Sequence, residues 1–343
     1  MIIYGAGAVG KVLYEMIGSA ITCFIDDNPN KKEFCGLPVY RVDELDTPKD
    51  TKILLSVTDI GDVIERLEEY GYDGWTTYLA GLRLYRTDDH YTQYAVDMAI
   101  ICQNAYVSSN LFLHSVDLII TERCSLRCKD CSNLMQYYEH PQDCDTKEIL
   151  RSIDKLFNEV DEVGEVRVIG GEPFMNKDWH IIVKRLIDEP KVHRVVIYTN
   201  GTIMPKEMPQ SDKILVFITD YGELSGKVDE LVDSLNVPYH VSKASGWTAC
   251  SDIRLHMRSQ KENEKVFRSC CVRNLITLSN GRLHHCPFSA NAVRLNKIPD
   301  CSVKISRSGI KKLLRMKDTL ACYLCNGREY GAPEIQPAIQ MEV

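Results

Sequence analysis

Three cysteines stand at Cys124, Cys128 and Cys131, in the segment CSLRCKDC, at a C-x3-C-x2-C spacing. Thiolates are the usual ligands of iron–sulfur clusters, and a loop this tight can aim three of them at one [4Fe–4S] cube. Three ligands leave one iron open to a substrate or cofactor. No His or Cys closes the set locally, since the next ones along the chain are His140 and Cys144. With a fourth ligand from a distance, the same thiols would also suit a structural zinc site.

Such a loop needs a rigid base. Val116 to Ile120 is an apolar run that reads as a buried strand leading into it. Val166 to Ile169 reads as another strand, leading to Gly170-Gly171-Glu172-Pro173. Between them Asp145, with Glu148 three residues later, signals a helix start, and Ile149, Ile153, Leu156, Phe157 and Val160 form its apolar face. The alternation continues with a helix on Trp179, Ile182, Val183, Leu186 and Ile187. Next come strands at Val195–Tyr198, ending Thr199-Asn200-Gly201, and at Lys213–Thr219, ending at Asp220. A helix over Lys227–Leu235 and a strand over Tyr239–Ser242 follow. This order predicts a parallel sheet or partial barrel, where ligands gather at the carboxyl ends of strands. The cysteine loop, Glu172, Asn200 and Asp220 all fall at such ends.

A CxxxCxxC loop after one strand and GGEP after the next resemble the radical S-adenosylmethionine (SAM) superfamily. The resemblance implies a central partial (β/α)6 barrel over residues 116–250. It implies that the open iron chelates SAM, with Gly170, Gly171, Glu172 and Pro173 at its amino group. Thr199, Asn200 and Asp220 would then meet the SAM ribose or the substrate, although Asn200-Gly201 by itself is also an ordinary turn. The reduced cluster of such enzymes cleaves SAM to a 5′-deoxyadenosyl radical that abstracts a substrate hydrogen, fed by an electron donor such as flavodoxin or ferredoxin.

More cysteines follow in residues 251–343. Leu275–Leu278, Asn280-Gly281 and Arg282–His285 predict a β-hairpin with an Asn-Gly turn. Cys270 and Cys271 precede it and Cys286 follows. Cys322 and Cys325 come after a helix built on Ile310, Leu313, Leu314 and Met316. The run from Cys271 through Gly281 to Cys286, C-x9-G-x4-C, resembles the opening of the SPASM auxiliary-cluster domain, and the lack of cysteines after Cys325 favours its short form, Twitch. The resemblance implies a second [4Fe–4S] cluster on Cys271 (or Cys270), Cys286, Cys322 and Cys325. Four cysteines at this spacing also suit zinc, with His284 and His285 as further candidates, or the two histidines simply lie on opposite faces of a strand.

Residues 1–86 open with the strand Met1–Tyr4 and then Gly5-Ala6-Gly7-Ala8-Val9-Gly10, a GxGxxG turn before a helix striped with Val9, Val12, Leu13, Met16 and Ile17. A second strand, Ile21–Ile25, ends in Asp26-Asp27. Glycines let backbone amides approach phosphate at a helix N-terminus, and an acid there is placed for a ribose. Lys52–Val57 and Thr76–Leu79 supply further strands, about one βαβαβ half of a dinucleotide domain. The unit resembles the half-Rossmann domain at the front of some sugar acyltransferases. That implies a nucleotide or nucleotide-sugar held by Gly5, Gly7, Gly10 and Asp26, with NAD as the alternative; the glycines would otherwise serve only to pack helix on strand. Residues 87–115, with Tyr94, Met98, Ile101 and Cys102 at helical spacing, read as a helical connector.

The 343 residues, 44% hydrophobic and 26% charged, are ordinary for a globular protein of two or three domains. A net charge of −7 argues against nucleic acid or an anionic membrane as the main partner. No apolar run is long enough to span a bilayer. A chain opening on a strand is expected to lack a signal peptide, and fourteen cysteines then point to metal ligation in a reducing cytoplasm rather than to disulfides.

The expectation is a cytoplasmic radical SAM oxidoreductase or epimerase of carbohydrate biosynthesis, abstracting hydrogen from a sugar-like, nucleotide-linked small molecule. Cys250, with Cys144 and Cys301 behind it, is the candidate hydrogen-atom donor for epimerisation. The alternatives are modification of a ribosomal peptide and a non-enzymatic nucleotide or redox sensor.

Overall fold

Ile2-Ile3-Tyr4, Cys23-Phe24-Ile25 and Ile53-Leu54-Leu55 are apolar at every position, and each forms a strand buried on both faces. That pattern belongs to a parallel sheet covered by helices on both sides. The computed structural model describes residues 1–205, 207–226, 228–328 and 332–341, and they divide into two units, residues 1–114 and 115–343.

The first unit is built from β1 (Ile2–Tyr4), α1 (Ala8–Ile17), β2 (Cys23–Ile25), β3 (Glu33–Phe34), β4 (Leu37–Tyr40), β5 (Ile53–Leu55), α2 (Ile60–Glu69), β6 (Trp75–Thr76), α3 (Leu79–Leu82) and α4 (His90–Ser108). Its sheet runs β3-β4-β2-β1-β5-β6, parallel except for the β3–β4 pair. Alternation along each strand divides the core. Ile2, Tyr4, Ile25 and Leu55 pack with Val63, Ile64 and Leu67 of α2. Ile3, Phe24 and Leu54 pack on the other face with Val12 and Leu13 of α1 and Val96 and Ala99 of α4. The helix expected within residues 87–115 packs on one face of this sheet, and its Gln103 donates to the Leu55 carbonyl at 3.2 Å. The expected strand Thr76–Leu79 stops at Thr76, and α3 begins at Leu79.

The second unit continues with β7 (Phe112–Thr121), α5 (Thr146–Glu159), β8 (Glu162–Gly170), α6 (Trp179–Ile187), β9 (Val192–Thr199), β10 (Ile214–Asp220), α7 (Val228–Ser234), β11 (Tyr239–Lys243) and β12 (Trp247–Thr248). Lys227, expected to open α7, lies outside the described residues. Then come α8 (Gln260–Ser269), β13 (Leu275–Ser279), β14 (Arg282–His284), α9 (Pro287–Arg294), β15 (Val303–Lys304), α10 (Arg307–Leu314) and β16 (Glu334–Ile335).

One eight-stranded sheet, β11-β10-β9-β8-β7-β13-β14-β15, organises the whole unit. The β11–β7 portion is the expected alternating core. Its sixth parallel neighbour is β13, paired with β7 through Leu275–Ser115 and Thr277–Asp117, so the hairpin of residues 251–343 shares a sheet with the strands before it. The hairpin turn has positive φ at both Asn280 (47°) and Gly281 (68°), the backbone that an Asn-Gly pair adopts at low cost. Asp117 on β7 is fully buried and takes a bidentate bond from Arg167 on β8, at 2.5 and 3.0 Å.

Candidate active site

The cysteine loop leaves the carboxyl end of β7, and the Gly-Gly-Glu-Pro turn leaves the same end of β8. The two are tied to one another by backbone. Gly171 N–H donates to Thr121 O at 3.0 Å, and Glu172 N–H donates to Arg123 O at 2.8 Å. Glycine is required at both turn positions. A Cβ on Gly170, whose φ is +147°, would lie 2.3 Å from Thr121 O, and one on Gly171 would lie 2.0 Å from Arg123 O and 3.0 Å from Cys124 Cβ. The turn is further held by Asn133, whose amide donates to Gly170 O at 3.0 Å.

Glu172 is fully buried and both its carboxylate oxygens are engaged by the chain itself. Oε1 accepts from Thr199 Oγ1 at 2.9 Å and Phe174 N at 3.2 Å, and Oε2 accepts from Asn200 N at 2.8 Å. It thereby joins the ends of β8 and β9. Burial pushes its carboxyl up to about 7, against the pull of those three donors. Asn200 in turn reaches the cysteine loop, donating to Ser125 Oγ at 3.1 Å and Cys124 Sγ at 3.6 Å. Thr199 and Asn200, expected at a bound ligand, thus connect Glu172 to the loop. Asp220 caps its own turn by accepting from Gly222 N at 2.8 Å. Its neighbour Tyr221, which carries no motif signal, stands edge-on to Trp247. Burial first, and then Cys128, Cys131 and Cys124 nearby, raise the Tyr221 phenol.

The three thiols feel one another. Cys124 is pushed up to about 12, mainly by burial and further by Cys131, Glu172 and Cys128. Cys131 is pushed up to about 11, mainly by burial and further by Cys128 and Cys250. Cys128 is also raised by burial, and lowered by a hydrogen bond from Gln340. Among the described residues no three His, Cys, Asp or Glu side chains are drawn together as a metal-holding group. What the loop supplies is the donor set: three free, half-buried to buried thiols on one turn, next to donors that would support thiolate charge. That chemistry fits an iron–sulfur cluster, whose binding would displace the thiol protons.

A second group of cysteines lies in the same unit. Cys250, Cys270, Cys286, Cys322 and Cys325 line one cleft with about 610 Å³ of empty space, part of it open to solvent. Of the adjacent pair, Cys270 lines this cleft and Cys271 is exposed, with its N–H turned to Arg328 O. The motif spacing suits either cysteine, and the end of α8 faces the first of them toward the cleft. Cys286 is raised well above the ordinary thiol value, and Cys322 and Cys325 to about 12, each mainly by burial. Arg258 clamps the Cys322–Cys325 turn by donating to both cysteine carbonyls at 2.9 Å. His285 lines the cleft against Phe267, while His284 is buried away from it and lowered to about 4, chiefly by desolvation. Cys250, the candidate hydrogen-atom donor, is buried, with its carbonyl accepting from Cys325 Sγ at 3.6 Å. Neither Cys144, which accepts from Arg294 Nη1, nor Cys301, which lies by Ser289 and Thr319, lines this cleft.

In the first unit Asp26 is engaged by neighbouring groups of the chain itself. Asp26 Oδ2 accepts from Ala6 N at 2.9 Å and from Lys31 Nζ at 3.0 Å, and Oδ1 accepts from Asn28 N at 2.9 Å. Gly10 permits the helix to close on the turn, since a Cβ there would lie 2.0 Å from Gly5 O, and Gly7 has open space above its Cα.

Residues 118–224 match the model of the Radical SAM superfamily. This part of the chain is a radical SAM domain. Among curated proteins the chain is similar to a GTP 3′,8-cyclase of Stenotrophomonas maltophilia, at 32% identity over 27% of this chain and 28% of the cyclase. It is also similar to the molybdenum cofactor biosynthesis protein moc-5 of Caenorhabditis elegans, at 36% identity over 26% of this chain and 15% of that protein. The chain thus spans little more than a quarter of the cyclase it matches. Among solved structures, BtrN in complex with AdoMet and 2-DOIA aligns over 61% of this chain and 84% of its own, at 17% identity and a TM-score of 0.38. Among the described residues no helix is long and apolar enough to cross a membrane.

Proposed function

We propose that this chain is a radical SAM enzyme that abstracts hydrogen from a sugar-like, nucleotide-linked substrate, leading to dehydrogenation or epimerisation at one carbinol carbon. The observation that carries the radical reading is the backbone tie between the cysteine loop and the Gly-Gly-Glu-Pro turn at neighbouring strand ends. Cys124, Cys128 and Cys131 would hold a [4Fe–4S] cluster, and the turn of Gly170 to Pro173 would border SAM. When bound, the cluster supplies the electron that cleaves SAM, drawn from a flavodoxin- or ferredoxin-like donor. The protein's own part is positional. Glu172 fixes the ends of β8 and β9, Asn200 carries that order to Cys124, and Tyr221 and Trp247 wall the same region.

Cys270, Cys286, Cys322 and Cys325 would hold a second [4Fe–4S] cluster, which would suit oxidative work on an alcohol because it can take an electron. The nucleotide-linked substrate class finds support in the cyclase relatives, whose name gives GTP as their substrate. It also has support in the first unit, where open space above Gly7 and the Lys31 ammonium beside the turn would suit a phosphate.

Anaerobic reconstitution with iron and sulfide, followed by SAM and a strong reductant, tests the proposal. About eight irons per chain with release of 5′-deoxyadenosine is the expected result, the content of two cubes. Stimulation of that release by a nucleotide-sugar would identify the substrate class. About four irons with release would leave the radical enzyme and return the second cysteine group to zinc, whereas zinc alone with SAM intact would overturn the reading.

A further inference from the structure

The described C-terminal segment ends against the cysteine loop. Lys129 N–H donates to Ile339 O at 2.7 Å and Met341 N–H donates to Arg127 O at 2.8 Å, so that Cys128 and Gln340 face each other in an antiparallel bridge. Residue 340 is thus laid across the middle cysteine of a loop more than two hundred positions earlier in the chain.

The Gln340 side chain is fully engaged there. Its Oε1 accepts from Arg127 N at 2.7 Å. Its Nε2 donates to Ala338 O at 2.7 Å and to Cys128 Sγ at 3.3 Å. Those contacts also fix the orientation of the amide. The Arg127 N–H can meet only an oxygen and the Ala338 carbonyl only an N–H, so the face presented to Cys128 is a donor.

We propose that Gln340 is a positioning residue for Cys128 and that its N–H to Cys128 Sγ raises the reduction potential of the cluster on the Cys124–Cys131 loop. This rests on the radical SAM reading given above. A hydrogen bond to a ligand sulfur withdraws charge from it, and a reduced cluster carries one more negative charge than an oxidised one. The bond therefore favours the reduced form, and its loss lowers the potential. Asn200 donates to Cys124 Sγ at a longer 3.6 Å, so of these two side-chain donors to the loop sulfurs Gln340 is the shorter.

The test is a redox titration followed by electron paramagnetic resonance on the reconstituted 343-residue chain. The loop signal is assigned as the one missing from Cys124→Ser. Gln340→Glu keeps an oxygen for Arg127 N–H and replaces the donor at Cys128 with an acceptor. Gln340→Leu removes all three side-chain bonds, those to Arg127 N, Ala338 O and Cys128 Sγ. The expected result is a midpoint potential lower than the parent's in Gln340→Leu and lower again in Gln340→Glu, with the iron content of both variants unchanged. An unshifted potential in Gln340→Glu, with the loop signal present, would overturn the proposal. Iron loss from Gln340→Glu would overturn it too, by making the residue a scaffold rather than a donor. A parent chain with no Cys124-dependent signal would instead remove the radical SAM reading itself.

Discussion

The backbone N–H of Glu172 donates to the carbonyl of Arg123 at 2.8 Å, joining the turn after β8 to the residue before the first loop cysteine. Gly171, one position earlier, lies so close to Arg123 that a Cβ would stand 2.0 Å from its carbonyl oxygen. That oxygen belongs to the backbone and cannot rotate aside. Gly171→Ala is expected to lower stability by about 1–3 kcal/mol, the usual cost of overpacking, and to lower the iron retained by the loop. Denaturant titration of the chain and an iron count after reconstitution check both.

Glu172 faces three donors, and a glutamine in its place would turn an NH2 group toward one of them. Glu172→Gln is expected to cost about 1–3 kcal/mol for the buried donor left unpaired. The carboxyl also gives a pH signature. Its folded value, about 7, lies above its usual 4.5, so between those two values the folded state binds more protons than the unfolded state. Its contribution to stability is then present below 4.5 and is lost as pH rises toward 7. Thermal melts of the metal-free chain should show this fall in the parent and not in Glu172→Gln.

Arg258 is the clamp on the Cys322–Cys325 turn, donating to both carbonyls. Arg258→Ala is expected to reduce iron from about eight to about four per chain, with 5′-deoxyadenosine release retained. If all the iron stays, Arg258 does not hold the second site.

Asp117 and Arg167 join β7 to β8 beneath the active site, with Asp117 entirely out of solvent. Asp117→Ala strands the guanidinium, and breaking a buried pair in this way costs about 3–5 kcal/mol. A fall of that size in unfolding free energy is expected, whereas a change under about 1 kcal/mol would show that solvent satisfies the partly exposed Arg167 side chain once Asp117 is gone.

The chemistry-bearing spacing was legible in the sequence because short loops tie side chains together locally: Cys124, Cys128 and Cys131 share one turn wherever the chain goes. The Asn280-Gly281 hairpin was legible for the same reason, since its backbone angles are a property of two residues. So were the strands read at Met1–Tyr4 and Lys52–Val57, which form over Ile2–Tyr4 and Ile53–Leu55 because apolar side chains there are buried on both faces. Tertiary packing alone decided the rest. The rotation of α8 at its end faces Cys270 inward and leaves Cys271 exposed, a choice that spacing cannot make. Contact with Ala6 and Lys31 engages Asp26, which strand order alone presented as open to a ribose. The arrival of Gln340 on Cys128 depends on a β-bridge between distant segments. Backbone pairing of that kind is specified by the whole fold and leaves no periodic trace in the local sequence.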